Sequence, residues 1–258
     1  YLEPTRDPID AGLLATLNAS LPENAPVPDA HPQYLADGND TDVVLTDEAD
    51  VWVTFVHEGA GWRNALGYYT YDASAPPQSA AEIDARTIVF PNVSFAGSGG
   101  GLVSGDKVRL GRFPAGTGIG WFLVANGWTG VGVGDGTHVV YSNPSFNPEP
   151  DASLRQHNVL LRDDERELLL LGFEDVRRDD IPFICDQDFN DAVFYVSSNP
   201  VEAIASGDVP TVTDPGSDPS ADADDDGILN GSDADPYDPS VAAVLHLPVE
   251  GADGSVAF

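Results

Sequence analysis

Two stretches of this sequence bring together side chains able to hold a hard cation. In "DADDDGILNGSDADPYDP", Asp222, Asp224 and Asp226 alternate, Gly227 follows, and Asn230 and Asp233 come next at three-residue steps. Calcium takes about six to eight oxygen ligands, and a chain can wrap it with oxygens at loop positions 1, 3 and 5, a Gly at 6, a backbone carbonyl at 7 and further oxygens at 9 and 12. Ile228 occupies the seventh position, where its carbonyl would serve, and the acids run on to Asp235 and Asp238. No EF-hand helices flank the loop, so the alternative is a solvated acidic linker.

The second stretch is "CDQDFNDAVFYV", which crowds Asp186, Asp188, Asn190 and Asp191 in front of an apolar, β-prone run. Upstream, "GFED" sets Glu174 and Asp175 at the end of another such run. Carboxylates meeting at adjacent strand ends repel one another strongly in a low-dielectric setting unless a cation neutralises them. The competing reading is an exposed acidic turn. Phe189, between the acids, must point inward. Cys185, followed by acids that would raise its pKa, reads as a small apolar filler rather than a nucleophile.

A third stretch, "TFVHEGAGWRNALGYYTYD", displays His57, Glu58, Arg63 and Asn64 around a glycine-rich turn. Its carbonyls or the Asn64 oxygen could join the same ion, while Arg63 could equally pair with a local acid. Zinc is disfavoured, because His57 and Glu58 are strand neighbours facing opposite ways and no Cys or paired His spacing follows. Trp62 and Trp128 lie in glycine-rich turns, and with Asn64 they are the candidate ligand-binding residues for a sugar beside the calcium. The bland alternative places all four tryptophans in the core or at its rim. "AGSGGG" is no nucleophile elbow, "GVGVGDG" precedes no helix, and His138 and His157 have no evident Ser or Cys partner. No catalytic constellation emerges, and an enzyme is not expected.

These residues need a rigid frame. From about Asp50 to Ser198 the chain reads as short β-rich runs broken by Gly, Pro and Asn: "VWVTFV", "ALGYYTY", "RTIVF", "KVRL", "IGWFLVA", "HVVYS", "HNVLL", "ELLLLGF" and "AVFYV". This pattern predicts an all-β fold, an antiparallel sandwich of jelly-roll type. Ahead of it, residues 1–49 hold one short amphipathic helix, with Leu13, Leu14, Leu17 and Leu21 at helical spacing and Asp10 as its cap, then an extended segment. The sandwich spans 50–198, a Pro-rich semi-stiff linker 199–221, the acidic loop 222–240, and a C-terminal strand 241–258 that lacks a partner in the sequence. Such a strand suits self-association with another subunit, or the start of a further domain.

Composition narrows the partners. In 258 residues, 43 Asp and Glu face 11 Lys and Arg, a formal net charge of -32, which repels nucleic acid and anionic membranes and favours cations. Lys107 is the only lysine and Cys185 the only cysteine, so no internal disulfide forms and packing or metal must stabilise the chain. No run reaches the ~20 apolar residues of a membrane span. Tyr1 opens the chain without a leader, as in a mature or trimmed product, and the uncapped "GSVAF" end leads us to expect that the natural polypeptide continues.

Together "VWVTFVHEGAGWRNALGYYTYD", "GIGWFLVANGW", "VVYSNPSFNPE", "RQHNVLL", "LLLLGFEDVRRD" and "CDQDFNDAVFYV" resemble, in order over most of 50–198, the uncharacterised calcium-associated β-sandwich domain of secreted bacterial surface proteins and RTX-type adhesins. The 222–238 stretch resembles a thrombospondin type 3 repeat, in which successive loops share ligands, and "PVEGADGSVAF" is similar to the entry strand of a LruC-type domain whose body is missing here. The resemblance implies calcium at Glu174, Asp175, Asp186, Asp188, Asn190 and Asp191. The resulting expectation is a secreted, extracellular calcium-binding building block of a fibre, matrix or adhesin stalk. The alternative is a calcium-dependent module that binds a surface glycan.

Overall fold

The computed structural model describes residues 1–180, 185–217, 222, 226–233, 236–237, 240, 249–250 and 256–257, the last two pairs by backbone only. The chain forms two compact units, one of Tyr1–Ile9 with Leu21–Val212 and one of Asp10–Ser20 with Thr213–Phe258.

Among its described residues the first unit has ten strands: β1 (Val43–Val44), β2 (Ala49–His57), β3 (Asn64–Asp72), β4 (Thr87–Val93), β5 (Lys107–Phe113), β6 (Thr117–Ala125), β7 (His138–Tyr141), β8 (Asn158–Asp163), β9 (Leu168–Phe173) and β10 (Ala192–Asn199). Each of the nine β-rich runs in the sequence falls on one of these strands. Only the short β1 was not legible. One antiparallel sheet runs β1-β6-β3-β4, with β7 also pairing β6, and the other runs β5-β2-β10-β9-β8. The chain crosses between sheets at β1–β2, β2–β3, β4–β5, β5–β6 and β7–β8, a back-and-forth route that fits the expected jelly-roll type.

Alternation along the strands drives this packing. Val51, Val53 and Phe55 of β2, Ile119, Trp121 and Leu123 of β6, and Ala192, Phe194 and Val196 of β10 enter one core cluster. Phe194 stacks on Phe90 of the opposite sheet at 5.7 Å, so a single ring ties both layers. A second cluster, around Tyr69, Phe122 and Tyr141, packs on the other face of the β3–β6 sheet. There glycines lie under aromatics: a Cβ on Gly120 would sit 2.1 Å from Tyr69 Cζ, and one on Gly67 would sit 2.2 Å from Phe122 Cζ. The rings cover what a side chain would otherwise fill.

The stretch expected to be a linker is, in its first half, part of the sandwich unit. Ala205 N–H donates to Val44 O at 2.8 Å, Arg162 N–H to Pro210 O at 2.8 Å and Val212 N–H to Arg162 O at 3.0 Å. Val209 enters the core. Bonds to β1 and β8 satisfy backbone groups of a segment that the composition alone read as a semi-stiff linker.

In the second unit, α1 (Ala11–Ser20) forms where the leucine spacing predicts it. Asp10 Oδ1 accepts the Leu13 N–H at 2.7 Å, which is the expected cap. Leu13 and Leu17 are buried while Leu14 is exposed. Ser20 Oγ accepts the Thr213 N–H at 2.9 Å. At the C-terminal end, β11 (Val249–Glu250) pairs antiparallel with β12 (Val256–Ala257). The strand expected to wait for another subunit thus pairs within the chain at these positions. Most of 241–258 lies outside the described residues.

Candidate metal centre

Strand register assembles the site. Ala192 pairs with Phe173, Val193 with His57 and Asn158 with Phe173, so the end of β9, the start of β10, the end of β2 and the start of β8 are level. Residues just beyond those ends therefore meet: Glu58 and Gly59, His157, Glu174 and Asp175, and the loop 185–191. The other sheet adds Asn64 at the start of β3 and His138 at the start of β7.

Asp175 is the point where the sheets join. Asn64 Nδ2 donates to Asp175 Oδ2 at 2.6 Å, and Asn64 Oδ1 accepts the Asn126 N–H at 2.9 Å. The Asn64 oxygen is thus committed to the backbone. Asn64 is fully buried, and its amide joins Asp175 of one sheet to the Asn126 backbone of the other. The Asp175 carbonyl is 2.8 Å from His138 Nε2, and its N–H donates to Asp191 Oδ2 at 2.7 Å. Behind Glu174, the buried His157 contacts the Glu174 carbonyl through Nδ1 at 3.1 Å and Glu149 Oε1 through Nε2 at 3.1 Å.

The loop before β10 has an unusual backbone. Gln187 and Phe189 have φ of 62° and 59°, left-handed values that cost non-glycine residues about 1–3 kcal/mol each. Local bonds hold them. Gln187 O accepts the Val27 N–H at 2.8 Å, Gln187 Oε1 accepts from Arg178, and the Arg178 guanidinium lies 5.3 Å from the centre of the Phe189 ring. Phe189 is completely buried, as the sequence required. Asp188 accepts the N–H groups of Asn24 at 3.0 Å and Asn190 at 3.1 Å. Gly59 approaches so closely that a Cβ would lie 2.5 Å from Asn190 Oδ1.

Among the described residues two groups of carboxylates result. Glu174, Asp175 and Asp191 form one, Glu23, Asp186 and Asp188 the other, and in each the ligand oxygens lie within 4.8 Å of one another. Oxygens on a single calcium ion, each about 2.3–2.6 Å from it, can be at most about 5 Å apart. Each group is compact enough for its oxygens to share one cation. Two unit charges at this separation repel by roughly 3–4 kcal/mol even at an effective dielectric of about 20. Among the described residues none of these six acids is in an ion pair.

The electrostatics follow. Burial, then the charges of Asp186, Asp175 and Asp188, push the Glu174 carboxyl up to about 8. Burial, Asp175 and Glu174 push Asp191 up as well. Asp188 rises to about 6 through burial, against the two N–H donors that lower it. Glu174 is 1% exposed, and its Oε2 has no hydrogen-bond donor. A buried, unpaired carboxylate oxygen among other acids is what a cation would satisfy. Burial also raises the Cys185 thiol far above its ordinary value, which suits a packing residue and not a nucleophile.

Among the described residues no histidine joins either acidic group. Trp62 and Trp128 are half-buried at this end: the Trp62 ring meets the His138 ring edge-on at 6.0 Å, and the Trp128 N–H donates to Arg63 O at 3.0 Å. The sequence reading missed Glu23. It is separated from the loop by more than 160 residues, and only the Asn24 bond to Asp188 would have revealed it.

In the second unit Gly227 has φ of 92°, the left-handed conformation demanded at the sixth loop position. Its N–H donates to Asp222 Oδ2 at 3.0 Å, and the Ile228 N–H donates to Asp226 Oδ1 at 2.7 Å. Asn230 is buried and donates to Pro215 O at 2.7 Å. Among the described residues the acids of this loop, Asp233 included, do not form a converging triad. Asp224, Asp235 and Asp238 lie outside the described residues.

A family model described as "Domain of unknown function (DUF4114)" matches residues 113–199, from the last residue of β5 to the last of β10. The match contains Glu174, Asp175, Asp186, Asp188, Asn190 and Asp191 but not Glu23, Glu58 or Asn64. That domain is uncharacterised and brings no activity with it. No curated protein and no solved structure matches the chain.

Proposed function

We propose that the chain is a calcium-stabilised structural module that works outside the cell as a building block of a fibre, matrix or adhesin stalk. One observation carries the reading: the buried Glu174 Oε2, without a donor, among carboxylate oxygens spaced as on one calcium ion. Calcium there would neutralise Glu174, Asp175 and Asp191, and so fasten the ends of β9 and β10 to each other and, through Asn64, to the facing sheet. The acidic loop 222–238 is proposed as a further calcium position, supported by the conformation of Gly227. Extracellular calcium near millimolar suits even weak sites, and an ion that binds only the folded state stabilises it.

The net charge of -32 fits this role, because calcium offsets repulsion both within a module and between modules. Electron microscopy and thermal melting of the purified protein, with calcium and after its removal, test the proposal. Ordered assemblies and a higher Tm only in calcium are expected. Particles and Tm indifferent to calcium would overturn it.

A further inference from the structure

His138 and His157 have no catalytic partner in the sequence, and among the described residues neither joins an acidic group. Both nevertheless reach the same short stretch of backbone. His157 Nδ1 lies 3.1 Å from the Glu174 carbonyl oxygen, and His138 Nε2 lies 2.8 Å from the Asp175 carbonyl oxygen. A carbonyl oxygen only accepts, so the hydrogen sits on Nδ1 of His157 and on Nε2 of His138.

Each bond acts on the acids through the main chain. The Glu174 carbonyl shares a peptide plane with the Asp175 N–H, which donates to Asp191 Oδ2 at 2.7 Å. His157 thus grips one side of this rigid plane and Asp191 the other, and polarising the carbonyl strengthens the bond that the N–H makes. Glu174 is held at its preceding peptide as well, because its N–H donates to the His157 carbonyl at 2.9 Å. His157 is itself fixed: it is fully buried, and Nε2 lies 3.1 Å from Oε1 of the equally buried Glu149. His138 begins β7, so it ties the Asp175 carbonyl to the sheet to which Asn64 ties the Asp175 carboxylate. With both carbonyls taken by histidines, Glu174 and Asp175 offer the acidic group their carboxylates.

We propose that His138 and His157, the latter oriented by Glu149, are positioning residues for calcium on Glu174, Asp175 and Asp191, a role that rests on the calcium reading above. They set two consecutive peptide planes so that the three carboxylates converge before the ion arrives. Polar groups behind a metal's ligands typically contribute about 10–100-fold to its affinity.

Calorimetric titration of the full chain with calcium alone tests this in His157→Leu, His157→Asn, His138→Leu and His138→Gln. The Asn amide offers an N–H where Nδ1 stood and the Gln amide where Nε2 stood, so each polar variant keeps the donor that the leucine variant loses. The leucine variants should bind calcium about 10–100-fold more weakly, and the Asn and Gln variants nearly as tightly as the unaltered protein. Polar variants as weak as the leucine ones, or leucine variants as tight as the unaltered protein, would overturn the positioning role while leaving the calcium site. No calcium uptake by the unaltered protein would overturn the calcium reading itself. NMR of the imidazole nitrogens in the unaltered protein tests the same bonds without a substitution that could disturb folding. Hydrogen on His157 Nδ1 and on His138 Nε2 is the expected result, and its absence from either would overturn the role of that histidine.

Discussion

Removing calcium should reverse the way stability depends on pH. Without the ion, burial and neighbouring acids hold Glu174 up to about 8 and raise Asp191, whereas in the unfolded chain Glu and Asp titrate near 4.3 and 3.9. Between those limits the folded state binds more protons than the unfolded state. Its advantage is therefore complete below about pH 4 and is lost as pH rises toward 8. Each proton retained only in the folded state lowers stability by about 1.4 kcal/mol per pH unit, or about 3 kcal/mol from about pH 5 to about pH 7. For a domain of this size that is a fall in Tm of roughly 5–10 °C. Calcium competes with those protons, so the loaded protein should hold or gain Tm over the same interval and lose it only as acid protonates the ligands. Scanning calorimetry of metal-depleted and calcium-saturated protein across this range measures both slopes, and Glu174→Gln should flatten the metal-depleted one. Parallel slopes with and without calcium would refute the reasoning.

Asn64→Ala should remove the support of Asp175 and orphan the Asn126 N–H, lowering stability by about 2–4 kcal/mol in urea unfolding and calcium affinity by roughly 10–100-fold. Gly59→Ala, whose Cβ would lie 2.5 Å from Asn190 Oδ1, should weaken calcium binding in calorimetric titration while changing the Tm of metal-depleted protein little. Phe194→Ala should cost about 3–5 kcal/mol with or without calcium, since the ring bridges the two sheets and touches no acid of either group. Gly227→Ala, strained at φ of 92°, should reduce calcium bound by the acidic loop and leave the sandwich Tm unchanged.

The strands were legible because β-branched and aromatic runs such as "VWVTFV" and "AVFYV", bounded by Gly, Pro and Asn, are buried almost throughout, and the acids of "GFED" and "DQDFND" because they stand at strand ends. Glu23 was not, because its partners are set by tertiary closure. Asn64 was legible as a polar residue at the site, but only the hydrogen bond from Asn126 assigns its oxygen to the backbone. The segment 204–212 misled for a related reason: Pro, Gly, Ser and Asp describe a semi-stiff linker equally well as a strand-side segment whose backbone pairs with Val44 and Arg162. At the C-terminus, local pattern showed a strand but not that Val249 faces Ala257 of the same chain.

The most direct test of calcium at the end of the sandwich is long-wavelength diffraction from crystals grown in calcium, with an anomalous difference map. The account predicts a peak about 2.3–2.6 Å from carboxylate oxygens of Glu174, Asp175 and Asp191. A map with no peak there, and with Glu174 Oε2 bonded to a protein donor instead, would contradict it.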